Sequence, residues 1–391
     1  MNKAKDFLSK NAMLVVLVLA MLFFEVMIRS NNRGSLFSPE NLSNLIGQNG
    51  YVVILATGML LCILTGGNID LSVGSMVILI GAVSGFLIVN WHINPYLSIF
   101  LCLIAGTLLG AWQAYWIAYV NVPPFVTTLG GMLVFRGLAL FIMGSKNIGP
   151  YPDSFKALFN SFLPGGGASS GTIMNVSLLL AAVICGILIA TQVISRVQKQ
   201  RKGYNVDNIV WLLFRLAVIS GVVLFVFWRF GQFKGIPVAL VLLGAIVLVY
   251  SYFTQNTIPG RYLYAMGGNA KAARLSGVDT RNMMFFTYTN MGFLSAIAAL
   301  VCVARFNQAS TQAGTGFELD AIGACFIGGA SAYGGVGTVS GSVIGAIFMG
   351  VMNMGMSILG ADQNLQRVIK GLVLLAAVIF DVLSKNRKQA A

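Results

Sequence analysis

Long apolar runs separated by short polar stretches make up most of the chain. A helix needs about 20 apolar residues to cross the hydrocarbon core of a bilayer, and a window of about that length selects a dozen such runs. The runs lie at 12–28, 50–66, 72–90, 97–119, 125–144, 172–195, 209–228, 236–254, 283–304, 318–333, 338–358 and 365–383. This pattern predicts an all-α, polytopic integral membrane protein with about 10–12 transmembrane helices in one domain, 1–391.

Glycine and polar residues interrupt two of these runs. The second run ends in the stretch 65–70 (TGGNID), and the tenth ends in the stretch 328–335 (GGASAYGG). Irregular backbone at membrane depth is tolerated only where it is buried in protein or lines a water-filled cavity. The sequence therefore predicts broken or re-entrant segments at these two places, and both are candidate linings of a pathway.

The charged residues are few and clustered. Only 9% of the residues are charged and 57% are hydrophobic, whereas a soluble domain has about 25% charged residues. The net charge of +14 comes largely from short basic clusters between the runs, which argues against a nucleic-acid surface. Basic loops mark the cytoplasmic side, so we expect cytoplasmic N- and C-termini and cytoplasmic segments at 196–208 and 255–282. The clusters are Lys3, Lys5, Lys10; Arg196, Lys199, Arg201, Lys202; Arg261, Lys271, Arg274, Arg281; and Lys385, Arg387, Lys388.

The sequence contains no pattern typical of an enzyme. The five cysteines lie in apolar runs without a C-x-x-C pair, and His92 is the only histidine, so we expect neither a metal site nor a histidine-based catalytic centre. A P-loop of the form G-x-x-x-x-G-K-[ST] is absent as well. If ATP drives a process in which the chain takes part, the nucleotide and its magnesium bind to a separate polypeptide.

The longest charged segment inside the chain, 262–282, predicts a short capped helix. Residues 270–275 are good helix formers, Asn269 is suited to cap their N-terminal end, and Gly277 is suited to the left-handed conformation that ends a helix. Asp279 or Thr280 then caps the next helix. A helix of about seven residues is unstable alone in water, so we interpret this one as lying against another protein.

Several polar side chains within apolar runs are candidates for a pathway. Asp70, Asp320 and Glu318 stand at the starts of membrane segments, where a carboxylate either binds substrate hydroxyls or caps a helix. Polar groups further along the runs line a path or form interhelical hydrogen bonds. The pathway candidates are Asn68, Asp70, Thr127, Glu318, Asp320 and Asn353.

Other residues of the runs are expected to have structural roles. The spacing of Gly337, Gly341 and Gly345 predicts a helix face that packs closely on a neighbour or on a second copy of the chain. Arg136 lies deep in its run and is expected to pair with a carboxylate. Lys370, near the end of a run, is expected to extend toward the membrane surface.

Four motifs carry a resemblance to one transporter family. Residues 271–277 (KAARLSG) look like the EAA-x-x-x-G coupling loop of ATP-binding cassette (ABC) importer permeases, with Lys271 where glutamate is usual. The stretches 67–75 (GNIDLSVGS), 122–130 (VPPFVTTLG) and 314–324 (GTGFELDAIGA) resemble the IDLSVGS, P-x-F-x-x-T-L-G and G-x-ELDAIAA elements of the ribose, xylose and multiple-monosaccharide permeases. These permeases belong to the branched-chain amino acid and ribose-type superfamily.

The resemblance implies a function and an assembly. It implies the membrane-spanning subunit of a bacterial importer for a monosaccharide of the xylose or multiple-sugar type, in the inner membrane and without a cofactor of its own. The implied partners are an ATPase that binds ATP and magnesium, an extracytoplasmic sugar-binding protein, membrane lipid and a second copy of the chain. The segment 144–235 would be an extracytoplasmic loop with an inserted helix pair, and 255–282 the coupling loop. The implied ATPase contacts are Asn269, Lys271, Ala272, Ala273, Arg274 and Gly277.

Two alternatives stay open at the level of the sequence. A permease for branched-chain amino acids shares the same superfamily. An ion-coupled secondary transporter of a small polar solute would instead use Asp70, Asp320 and Glu318 as ion sites.

Overall fold

The computed structural model describes residues 12–165, 169–203 and 209–389. Within these ranges, ten helices are long and apolar enough to cross a membrane, which confirms the predicted all-α, polytopic architecture. The basic residues Lys3, Lys5 and Lys10 and the segment 204–208 lie outside the described residues. The helices are α1 (Ala12–Ser30), α2 (Pro39–Leu64), α3 (Val73–Gly85, continued by a π-helical turn, Phe86–Asn90), α4 (Pro95–Ala118), α5 (Pro124–Met143), α6 (Asp153–Asn160), α7 (Ser170–Arg201), α8 (Ile209–Gly231), α9 (Val238–Asn256), α10 (Ile258–Leu275), α11 (Thr280–Phe306), α12 (Phe317–Ile327), α13 (Val339–Ile358) and α14 (Gln363–Gln389).

Two helices differ from the apolar runs that predicted them. Helix α2 begins at Pro39 rather than near residue 50, because its first turns are polar, with Glu40 at the N-terminal end, and an apolar window does not detect them. Helix α12 has only 11 residues and ends at Ile327. The glycine-rich stretch at 328–335 therefore lies outside any helix.

Local sequence signals explain where several helices begin and end. Helix α4 starts with Pro95, and Asn94 Oδ1 accepts a hydrogen bond of 2.9 Å from the amide of Tyr96. Pro124 opens α5 without a side-chain cap, and Gly144 closes it with a φ of 57°. Such caps satisfy the free N–H and C=O groups at helix ends.

The described residues form two compact units. The first comprises residues 12–36, 45–160 and 239–389, and α2, α3 and α11 lie largely buried within it. Helices α4 and α11 pack especially closely there, because Gly106 and Gly110 face Gly292 and leave no space for a side chain. The loop after α5 also belongs to this unit, where Ile148 pairs with Ala309 in an antiparallel bridge.

The second unit comprises residues 37–44, 161–165, 169–203 and 209–238. It contains α7 and α8, the helix pair predicted as an insert. Two short antiparallel strands, β1 (Phe162–Leu163) and β2 (Ile236–Pro237), join the range 161–165 to the range 209–238. The amide of Val238 donates a hydrogen bond of 2.9 Å to the Ser161 carbonyl beside them.

Candidate functional site

The two helix breaks lie against each other in the first unit. Residues 65–72 connect α2 to α3, and Gly67 in this connection packs directly on the backbone carbonyl of Ala332 in the second break. At the other end of the connection, Gly74 packs on the Gly314 carbonyl and the Glu318 carboxylate, just before and within the first turn of α12. The first break therefore runs alongside α12, and the N-terminal ends of α3 and α12 are neighbours.

Asp70 organises the first break from a buried position. Its Oδ1 atom accepts hydrogen bonds of 2.8 Å from the Ser72 amide and 2.7 Å from the Ser72 hydroxyl, and Gln113 Nε2 of α4 lies 3.5 Å away. This geometry closes a turn directly before α3, which begins at Val73. Among the described residues, Asp70 forms no salt bridge, although the residue is only 2% exposed. A buried carboxylate held by hydrogen bonds alone is costly, and such sites are frequently functional.

Asp320 is the centre of a second buried polar cluster. Lys370 Nζ of α14 lies 2.9 Å from Asp320 Oδ1, and the Tyr51 hydroxyl of α2 donates a hydrogen bond of 2.6 Å to Oδ2. Asn353 of α13 donates to the same Oδ2 atom at 3.4 Å. The Tyr51 ring also stacks on Phe317, with a centroid distance of 3.7 Å. One carboxylate thus ties α2, α12, α13 and α14 together.

The expectation that Lys370 extends toward the membrane surface is wrong. Its ammonium group turns into the protein because Asp320, which is fully buried, requires a positive partner. The sequence signal for this pair was present, since each residue is a rare charge in an apolar run. Neither residue indicated the other, because they lie 50 positions apart.

Arg136 makes its hydrogen bond to a hydroxyl, and the predicted carboxylate partner interacts with it only electrostatically. Its Nη2 atom donates a hydrogen bond of 2.6 Å to the Thr315 hydroxyl, just before α12. The Glu318 carboxylate lies within electrostatic range of this guanidinium group. The three side chains are half-buried, so a cation, a hydroxyl and a carboxylate meet beside the start of α12.

The structure gathers five of the six predicted pathway residues. Asp70 and Asn68 lie in the first break, where Asn68 Nδ2 donates a hydrogen bond of 3.2 Å to the Thr65 hydroxyl. Glu318, Asp320 and Asn353 lie at or beside α12. Thr127 stands apart in the first turn of α5, where its hydroxyl donates to the Pro123 carbonyl at 3.3 Å.

The three glycines of α13 and its preceding loop pack within this chain. Gly345 lies on the Ala324 carbonyl, and Gly341 lies on the Gly328 carbonyl. Gly337, with a φ of 149°, lies against the side chains of Leu60 and Ala330. Gly341 and Gly345 therefore hold α13 against α12 and the residue that follows it, whereas Gly337 precedes α13 and is not part of the predicted helix face.

The segment around 269–279 has the capped geometry that the sequence predicts. The backbone is non-helical at Asn269, and Asn269 Oδ1 accepts a hydrogen bond of 2.9 Å from the Ala272 amide. Gly277 takes a φ of 88°, and Asp279 Oδ1 caps α11 by accepting from the Asn282 amide at 3.0 Å. A helical arm before Asn269, which belongs to the same helix α10, was not predicted.

The side chains after Asn269 divide into two sets. Lys271, Ala272 and Arg274 are exposed, and Leu275 is 83% exposed. Ala273, by contrast, is buried in the core of its own chain. The exposed set forms a small apolar and basic surface, which we call the docking surface: Lys271, Ala272, Arg274 and Leu275.

Apolar helices packed around two interlocked helix breaks define this chain as a multi-pass membrane permease. The chain belongs to the family described as the permease component of branched-chain amino acid transport systems, whose sequence profile matches residues 41–378. The four motifs described in the sequence analysis resemble this same group of permeases.

Named relatives resemble the chain over almost its whole length. The xylose transport system permease protein XylH of Escherichia coli K12 is 36% identical over 381 residues, which cover 97% of this chain and 94% of that protein. XylH of Haemophilus influenzae is 32% identical over 375 residues, covering 96% of each chain. The ribose import permease protein RbsC of E. coli K12 is 31% identical over 353 residues, covering 90% of this chain and 88% of that protein. No solved structure matches.

Proposed function

We propose that this chain is the membrane-spanning subunit of a bacterial ABC importer for a monosaccharide of the xylose or multiple-sugar type. The observation that carries the proposal is the end-to-end similarity to the two xylose permeases, which leaves almost none of this chain unmatched. The ribose permease is less similar and matches less of the chain. A pentose is therefore the first substrate to test.

In this proposal the chain binds no nucleotide and works with separate subunits. An ATPase with bound ATP and magnesium supplies the energy, and an extracytoplasmic binding protein delivers the sugar to a pair of permease chains. The docking surface supports the ATPase contact, because a helix this short is unstable alone in water and leaves Leu275 exposed. Its two exposed cations would complement an acidic partner surface. Asn269 and Gly277 set the two ends of this helix.

The proposed sidedness follows from the basic clusters. With α10 in the cytoplasm, the C-terminal end of α2 also faces the cytoplasm, because the backbone at Gly267 of α10 lies against the Leu64 carbonyl. The opposite side holds the loop after α1, where Arg33 donates a hydrogen bond of 3.0 Å to the Ile358 carbonyl at the end of α13. Both chain termini are then cytoplasmic, in the inner membrane of a bacterium.

The proposed sugar path passes the place where the two breaks meet. The half-buried groups Asn68, Arg136, Thr315 and Glu318 offer both donors and acceptors to sugar hydroxyls. Asp70 holds the first break in shape, and Asp320 fixes α12 to its neighbouring helices, both from buried positions. This arrangement separates residues available to sugar from residues that fix the backbone.

The proposal is tested by uptake in cells that lack this chain and in the same cells carrying it on a plasmid. Restored uptake of labelled xylose is expected, with ribose as a weaker substrate and leucine not taken up. Uptake should stop on depletion of ATP and continue when an ionophore dissipates the ion gradients. Restoration of leucine uptake alone would favour an amino acid permease, and uptake that needs an ion gradient but not ATP would overturn the ABC assignment.

A further inference from the structure

The helical arm of α10 that precedes Asn269, residues 258–268, lies against the last residue of α2, directly before the first break, and against the second break. We call it the α10 arm. The Tyr264 hydroxyl in the arm donates a hydrogen bond of 2.9 Å to the Gly337 carbonyl, at the end of the second break. Gly267 in the arm lies directly against the Leu64 carbonyl and the Gly335 amide. These two backbone groups are themselves joined, since Gly335 N donates to Leu64 O at 3.1 Å.

We propose that Tyr264 and Gly267 are positioning residues that transmit movement of the docking surface to both helix breaks. The inference rests on the proposed function, because it assigns a route between the ATPase contact and the sugar path. Two separate breaks move together in this scheme, because one helical arm contacts the second break and the residue directly before the first.

The α10 arm is held as one rigid helical unit. Thr257 caps its start by accepting a hydrogen bond of 3.2 Å from the Gly260 amide, and Leu263 and Met266 anchor it in the core. Burial raises the pKa of Tyr264 above the usual value of a tyrosine. The arm therefore holds its contacts through helix geometry and a defined donor.

At Gly267 the α10 arm contacts its neighbours through main-chain atoms, so no flexible side chain lies between them. The atoms that meet Gly267 belong to the main chain, and a methyl group there would have to displace Leu64 or Gly335. Main-chain atoms of packed segments do not move aside as the end of a long side chain does. A displacement of the arm is thus passed on directly to the breaks.

The second break is held from its other side by a different helix. Asp381 Oδ2 of α14 accepts a hydrogen bond of 3.1 Å from the Ala332 amide. The loop between α12 and α13 therefore lies between the α10 arm and α14. A shift of the arm relative to α14 therefore changes the conformation of this loop, because the loop cannot move with the arm as a rigid body.

The chain offers a matched pair of variants at adjacent glycines. Gly267→Ala places a methyl group against backbone, whereas Gly268→Ala places the same group in open space. Both changes favour a helix to the same extent, so only the contact differs. Tyr264→Phe removes the hydroxyl and keeps the ring, and Tyr252→Phe removes a hydroxyl from a tyrosine of α9 that is 65% exposed.

The measurement is the number of sugar molecules transported per ATP hydrolysed by the complete, reconstituted importer. Gly267→Ala is expected to lower this ratio by about tenfold, and Tyr264→Phe by about fivefold, which corresponds to one neutral hydrogen bond. Gly268→Ala and Tyr252→Phe should keep the ratio of the unmodified protein. A purely structural defect would reduce transport and hydrolysis in proportion and leave the ratio unchanged.

Each result either supports the inference or overturns it. An unchanged ratio in Gly267→Ala or in Tyr264→Phe overturns it, as does an equal loss in Gly268→Ala. If Gly267→Ala does not assemble, Tyr264→Phe decides, because it keeps the packing of the ring. If the unmodified importer shows no ATP-driven sugar uptake, the proposed function fails first, and the two failures are thereby distinguished.

Discussion

The Lys370 ammonium group contacts both carboxylate oxygens of Asp320, at 2.9 Å from Oδ1 and 3.1 Å from Oδ2. The pair joins α14 to α12, and the carboxylate is fully buried. A buried pair of this kind adds little beyond an apolar pair of the same volume, yet removal of one partner leaves an uncompensated charge. The pair therefore serves chiefly to define how the two helices fit together.

Removal of either charge is expected to destabilise the protein more than removal of both. Lys370→Met alone or Asp320→Asn alone should lower the free energy of unfolding by about 3 kcal/mol, because one charge is left buried. The double variant should recover most of that loss. Thermal unfolding of the purified protein in one detergent measures all four forms, and additive losses in the double variant would show that the two groups act independently.

Asp70→Asn is expected to separate the turn before α3 from the negative charge. The asparagine oxygen still accepts from the Ser72 amide, so stability should change by less than about 1 kcal/mol. We predict that sugar uptake falls while assembly with the ATPase persists, because the buried negative charge beside the proposed sugar path is lost. Asp70→Ala is the comparison, because it removes the hydrogen bonds of the turn as well and should lower the unfolding temperature. Normal uptake by Asp70→Asn would assign this carboxylate a role in the turn alone.

The docking surface predicts which changes near Asn269 act on the partner. Leu275→Asp should weaken association with the ATPase by about tenfold or more and leave the unfolding temperature unchanged, because the leucine is exposed. Ala273→Asp should instead lower the unfolding temperature, because it introduces a charge into the core. Co-purification and thermal unfolding of both variants check the assignment, which fails if Leu275→Asp binds the ATPase normally.

The proposed topology predicts the accessibility of single cysteines. The five native cysteines are buried and would be replaced first. Cysteines at Lys199 and Lys271 should then be protected from a membrane-impermeant thiol reagent in intact cells and react after permeabilisation. A cysteine at Asp153, whose side chain is 99% exposed on the proposed outer side, is the positive control. Labelling of Lys199 or Lys271 positions from outside would contradict the sidedness.

Local features of this fold were predictable from the sequence. Asn269 and Asp279 cap helices through hydrogen bonds to amides three residues away, so the residue type and its neighbours suffice to predict them. The two breaks were equally clear, because runs of glycine cannot continue a helix in an apolar setting. The helix starts at Pro95 and Pro124 are also local features, because proline favours the first turn of a helix.

Contacts between distant parts of the chain were not predictable in this way. The Tyr51 hydroxyl and Asp320 are 269 positions apart, and no local pattern relates an aromatic residue in one run to an acid in another. The partner of Arg136 was missed for a related reason. The expectation that a buried cation pairs with an anion predicts a carboxylate. The conformation of the backbone before α12 instead places the Thr315 hydroxyl within hydrogen-bonding distance of the guanidinium group.

The shortness of α12 has a consequence for synthesis of the protein. Eleven residues rise about 16 Å as a helix, about half the thickness of the hydrocarbon core. A segment of that length offers the insertion machinery too little apolar length to be released into lipid as a span. The groups that hold α12, among them Asn353 and Lys370, leave the ribosome only after it.

We therefore expect α12 to take its place late, when α13 and α14 have been made. In a released chain truncated after residue 338, a cysteine at Ala321 should react with a water-soluble reagent, whereas in the complete chain it should be protected. Early protection would mean that α2 and α11 alone can receive the segment. The order in which the helices are synthesised therefore determines when α12 can enter the interior of the protein.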